Sequence, residues 1–146
     1  MGILNCTPDS FYDGGLNSPK INFLLKKNKK IDIVDIGAES TKPGSKPITA
    51  QEEIDRLEPY LYLIEKYKHI YFSIDTYKTE VAEYALKKGF HIINDIRGGG
   101  NEHQMIDLAK KYNSYIIIMH MKGTPETMQN NISYNDLIND ILFFFN

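Results

Sequence analysis

Five times along this chain a polar side chain comes directly after a short apolar run. Asn5 follows Gly2–Leu4, and Glu39, Ser40 and Thr41 follow Ile31–Gly37. Asp75 closes Ile70–Asp75, Asn94 and Asp95 sit near the end of Phe90–Ile96, and His120 closes Tyr115–His120. No such cluster comes before a run. Carboxylates accept hydrogen bonds and amides both donate and accept, so these groups gathered at one place would grip a polar ligand by directed hydrogen bonds. A Ser–His or Cys–His nucleophile arrangement is absent. Cys6, one residue past Asn5, reads as a small packed apolar side chain. The first run is not followed by GxGxxG and no GxxxxGK[ST] occurs, so the usual nucleotide-binding motifs are missing.

The elements that must hold these residues follow from periodicity. The five apolar runs read as strands, and helical stripes separate them. Ser18-Pro19 reads as a helix start ahead of Ile21, Leu24 and Leu25, and the basic cluster Lys26–Lys30 ends that helix. Thr49 and Glu52 form a capping box before Ile54, Leu57, Leu61 and Ile64, with Pro59 set to kink or split the helix. Val81, Ala82, Ala85 and Leu86 face inward on the next helix, closed by Gly89. Asn101 is placed to cap a helix with Met105, Ala109 and Tyr112 inside, and Ser133 to cap one carrying Tyr134, Leu137, Ile138, Ile141, Leu142 and Phe145 on one face. Strand–helix repeated in this way calls for a parallel sheet with right-handed crossovers. Parallel α/β folds bind ligands at the C-terminal ends of their strands, in open doubly wound sheets and (β/α)8 barrels alike.

Bulk properties narrow the class. The chain has 146 residues, 42% hydrophobic and 25% charged, with a net charge of −2. That is enough for one domain with a real core and gives no electrostatic footprint for nucleic acid. Its single cysteine rules out an internal disulfide and suits a reducing, cytoplasmic location. Neither a signal peptide nor a membrane span is apparent.

The loops carry a resemblance. Gly2–Gly15 (GILNCTPDSFYDGG), Asp35–Gly44 (DIGAESTKPG), Ser73–Lys78 (SIDTYK), Ile93–Ile96 (INDI) and Met119–Gln129 (MHMKGTPETMQ) resemble dihydropteroate synthase, in that family's order and after successive strands. The resemblance implies a (β/α)8 TIM barrel. It implies a transferase of folate biosynthesis that joins 6-hydroxymethyl-7,8-dihydropterin pyrophosphate to para-aminobenzoate, releasing pyrophosphate and 7,8-dihydropteroate. The family is the sulfonamide target. By the same resemblance Asn5 is the protein ligand to Mg²⁺, a hard cation that takes few protein ligands plus substrate phosphates. Asp75 and Asn94 bind the pterin edge, and Asp75 also favours positive charge on the pterin as pyrophosphate leaves. Ile96 and Met119 line the pterin slot, Phe11 faces the aminobenzoate ring beside Lys42 and Pro43, Thr41 contacts pyrophosphate, and Asp13 helps close the site. Asn5, Asp75 and Asn94 are thus the expected catalytic set.

Two departures qualify the resemblance. Lys42 stands where the family more often has arginine, which keeps the charge but loses the bidentate fork. Length is the larger departure, since a full barrel takes about 250 residues. Residues 1–146 are therefore expected to be the N-terminal part of one barrel domain, its first five β/α units, without strands six to eight or the later cationic residues that grip pyrophosphate. Alone the chain is expected to lack turnover; family members are commonly homodimers, through late helices that are not among these residues, so the resemblance leaves the oligomeric state open. A pterin-binding methyltransferase barrel and a non-catalytic pterin-binding remnant are the competing readings. The DSFYDGG and STKPG loops argue against the methyltransferase.

Overall fold

The computed structural model describes residues 1–7, 30–40, 46–96, 104–121 and 133–145. The elements come in the expected alternation. Strand β1 is Gly2–Asn5 and β2 is Ile33–Gly37; helix α1 is Ala50–Leu57, a 3₁₀ turn spans Glu58–Tyr60, and α2 is Tyr62–Lys66. Strand β3 is Tyr71–Asp75, α3 is Thr79–Lys87, β4 is Ile92–Asp95, α4 is Gln104–Tyr112, β5 is Tyr115–Ile118 and α5 is Leu137–Phe145. The strands are shorter at their ends than the apolar runs suggest. Ile31, Ile70 and Phe90 instead pack against or within the core just before a strand begins.

All five strands are parallel and lie in the order β1-β2-β3-β4-β5. This decides between the two α/β architectures. A doubly wound sheet reverses its strand order at a switch point and carries helices on both faces, whereas consecutive order belongs to a (β/α)8 barrel. Burial agrees. Leu4, Cys6, Val34, Ile36, Phe72, Ile74, Ile93 and Ile116 share one face of the alternating pleat and form the core with Leu57, Leu63, Val81, Ala85, Met105 and Ala109 of the helices. The opposite face carries Ile3, Asn5, Asp35, Gly37, Ser73, Asp75, Asn94 and Ile117 by the same alternation. Ile3 and Tyr115 on it are 74% and 68% exposed.

Local chemistry explains the boundaries. The Glu52 amide donates to Thr49 Oγ1 at 3.1 Å, so Thr49 caps α1. The capping box closes on one side only, because the Glu52 carboxylate accepts from Arg56 at 2.7 Å instead of turning back. Pro59 ends α1 in the 3₁₀ turn, and the helix resumes as α2. Gly89 takes φ +99° just past α3, the left-handed conformation expected of a residue closing a helix. Asp136, not Ser133, caps α5: its Oδ1 accepts from the Asn139 amide at 3.1 Å. No residue of α5 is fully buried, so its expected apolar stripe does not enter the core. Contact comes through His120, whose ring stands edge-on to Phe144 at 5.0 Å and near Tyr134 at 6.1 Å. The expected Ser18-Pro19 helix and the Asn101 cap lie outside the described residues. No helix among them is long and apolar enough to cross a membrane.

Candidate active site

Three of the expected site residues share one row of the sheet. Register pairs Asn5 with Gly37, Gly37 with Asp75, Asp75 with Asn94 and Asn94 with Ile117. Side chains at one register level of a parallel sheet project from the same face. Asn5, Asp75 and Asn94 therefore rise side by side at the C-terminal ends of β1, β3 and β4. Ile96 and Met119 follow directly on the ends of β4 and β5. The Met119 amide donates to the Asp95 carbonyl at 3.3 Å, which keeps the end of β5 beside that of β4. Asp95 and His120 fall on the helix-facing side and do not join the row; Asp95 is 1% exposed.

Gly37 makes the row possible, and the sequence reading assigned it no role. A Cβ at position 37 would lie 3.2 Å from Asp75 Oδ2 and 3.4 Å from the Asp75 Cβ. The bare backbone leaves room for the carboxylate to lie over β2. A glycine at the end of a strand is the signal, since it often marks such close approach.

Asp35 was also given no role. It lies on the site face one alternation step below Gly37, is buried, and accepts from Asn94 Nδ2 at 3.0 Å through its Oδ2. Among the described residues its Oδ1 has no hydrogen-bond partner, and neither has the buried Oγ of Ser73, its register neighbour. Burial, then the charges of Asp35 and Glu53, push the Asp75 carboxyl up to about 6.

Beside the row, the end of β2 is tied down. Lys78 donates to Glu39 and, at 2.6 Å, to Glu53, which is 1% exposed on α1. Tyr77 donates to Glu39 at 2.7 Å, and Arg56 Nη1 to the Ala38 carbonyl at 3.0 Å. Burial opposes the Lys78 charge, but its hydrogen bonds to both glutamates and their attraction hold it above the usual lysine range. Cys6 is buried, which pushes its thiol up to about 12, so it is no nucleophile at neutral pH. Phe11, Asp13, Thr41, Lys42 and Pro43 lie outside the described residues.

Comparison with known proteins bears on this row. Residues 1–146 match the family described as pterin binding enzyme. The chain belongs to that family. Among curated relatives, the dihydropteroate synthase of Synechocystis sp. is 39% identical over 99% of this chain and 52% of its own length. Dihydropteroate synthase of Xanthomonas albilineans, solved with 4-aminobenzoic acid, superposes at a TM-score of 0.80 with 30% identity, covering 99% of this chain and 52% of that one. The Anaplasma phagocytophilum enzyme, with bound 6-hydroxymethylpterin-monophosphate, gives a TM-score of 0.79 and 34% identity over 98% of this chain and 55% of that one. The chain thus spans about half the length of the relatives it matches.

Proposed function

We propose that the protein works in dihydropteroate synthesis, joining 6-hydroxymethyl-7,8-dihydropterin pyrophosphate to para-aminobenzoate. The observation that carries this reading is the Asn5–Gly37–Asp75–Asn94 row, at the strand ends where a barrel binds its ligand, in a chain of the pterin-binding family. A pterin edge presents ring and exocyclic N–H donors beside acceptors. The Asp75 carboxylate accepts from the former, and the Asn94 amide serves either. Ile96 and Met119 flank the ring.

In the reaction the bond between the pterin methylene and pyrophosphate oxygen breaks, and a bond from that methylene to the amine nitrogen forms. The amine then loses a proton. Asp75, ionised above about pH 6, stabilises positive charge on the pterin as the leaving group departs. Thr41 and Lys42 would hold the pyrophosphate, Phe11 and Pro43 the aminobenzoate ring, and Asp13 the closed loop.

The donor set suits Mg²⁺. Asn5 offers an exposed amide oxygen at the open end of the row, and no cluster of three or more His, Cys, Asp or Glu that could cage an ion occurs among the described residues. A hard cation held by one side chain plus substrate phosphates fits that arrangement. When bound, it would neutralise charge on the departing pyrophosphate.

We read residues 1–146 as part of a single barrel domain that acts in the cytoplasm, where a free buried Cys6 stays reduced. By themselves these residues hold the pterin without releasing pyrophosphate. Lys78, three residues past Asp75, is committed to Glu39 and Glu53 instead of a leaving group. The test is pyrophosphate release by the protein as its source organism makes it, supplied with both substrates. Release that stops when Mg²⁺ is chelated, and in Asp75→Ala, supports the reading. No release from a protein that binds the pterin would make it a binding module.

A further inference from the structure

Asn94 can serve a ligand in two opposite ways, depending on which end of its amide faces the ligand. Oxygen and nitrogen are alike in size, so packing alone does not choose. The choice is made from behind. Asp35 is buried, and its Oδ2 lies 3.0 Å from Asn94 Nδ2. An ionised carboxylate has no hydrogen to give, so only the NH₂ end of an amide can face it. Turning the amide over would set oxygen against oxygen in a buried place, which costs more than an ordinary hydrogen bond contributes.

We infer that Asp35 is a positioning residue, which holds the Asn94 amide with its NH₂ inward and its oxygen free for the ligand. The row then presents acceptors side by side, the Asp75 carboxylate and Asn94 Oδ1. It selects a heterocycle whose edge carries neighbouring N–H donors over an isostere carrying carbonyls there. The inference rests on the pterin reading of the site and deepens it. Strand register allows the arrangement: on the strand between them Asp35 pairs with Ser73 and Asn94 with Asp75, so the carboxylate and the amide meet diagonally across β3. Among the described residues Asp35 Oδ1 has no partner that would draw the carboxylate elsewhere.

Two measurements on the protein at its native length test this. The first needs no ligand: the Asn94 side-chain NH₂ signals, identified by their loss in Asn94→Ala, are followed in a proton–nitrogen spectrum. Protection from solvent exchange in the wild type supports the inference, and exchange as fast as that of exposed side-chain amides overturns it. The second is the affinity for 6-hydroxymethylpterin in Asp35→Asn, Asn94→Ala and the double variant. Asp35→Asn should weaken binding about 10-fold alone, because its amide tolerates either orientation of Asn94. In the Asn94→Ala background it should cost less than about twofold, since its effect runs through that amide. An equal loss in both backgrounds overturns the inference. A wild type that does not bind 6-hydroxymethylpterin would overturn the pterin reading, and the exchange measurement would still decide whether Asp35 holds the amide.

Discussion

Asp75 keeps its charge at a cost to the fold. Its carboxyl, ordinarily near 3.8, is raised to about 6 by burial and by Asp35 and Glu53. Below about pH 4 the group is protonated in folded and unfolded chains alike, and folding gains or loses nothing from it. As pH rises toward about 6 the unfolded chain gives up its proton first, so the native state loses stability. Asp75→Asn should therefore stabilise the protein at pH 7.5 by about 1–2 kcal/mol, allowing for partial exposure to water. The gain should vanish near pH 4. Urea unfolding at the two pH values checks this, and a wild type at least as stable as the variant at pH 7.5 would contradict it. A residue that weakens the fold while facing an open row is placed there for its ligand. At this scale the sequence was legible where a polar residue ended a strand, as at Asn5, Asp75 and Asn94. Asp35 was not, because an acid between Val34 and Ile36 reads as a solvated face. Its burial depends on neighbours from two other strands.

Among the elements, the cluster joining β2, α1 and the turn into α3 stands out. Glu39 follows β2, Glu53 lies on α1, and Lys78 precedes α3 and donates to both. Replacing Lys78 leaves two carboxylates facing each other with little water. Lys78→Met should destabilise the fold by about 3–5 kcal/mol, the usual cost of stranding a buried charge. Chemical unfolding checks it, and a loss below about 1 kcal/mol, as for an exposed ion pair, would contradict the account. Alternating apolar runs and stripes made strand and helix order readable from β1 through β5, and Thr49, Pro59 and Gly89 marked their boundaries. The Lys78 cluster was hidden, since its members lie 25 and 39 residues apart and no local period links them. The last helix has no buried residue. Asn139 and Asp140 interrupt its apolar stripe, and its Phe144 stands edge-on to His120.

On the scale of the whole molecule, the site face of the sheet is buried at Asp35, Ser73 and Ile92 but carries exposed large side chains elsewhere among the described residues. Ile3, Tyr71 and Tyr115 on the site face, with Leu142 and Phe143 on α5, are large, apolar and exposed. Exposed large apolar side chains in such number favour association. Residues 1–146 produced alone should self-associate at micromolar concentration, and Tyr115→Lys with Phe143→Lys should reduce this. Light scattering decides, and a monodisperse monomer for the unsubstituted chain would contradict it. The barrel topology was legible from strand–helix alternation only as one of two architectures. Consecutive strand order separates them, and that order is a long-range property that no stretch of sequence displays.

The central claim is that the row from Asn5 to Asn94 holds a pterin by its donor edge. Its most direct measurement is the dissociation constant of 6-hydroxymethylpterin for the wild type, Asp75→Ala, Asn94→Ala and, as a control away from the row, Thr49→Ala. The account predicts binding by the wild type, at least about 10-fold weaker binding for each row variant, and an unchanged constant for Thr49→Ala. A wild type that does not bind, or an Asp75→Ala variant that binds as tightly as the wild type, would contradict it.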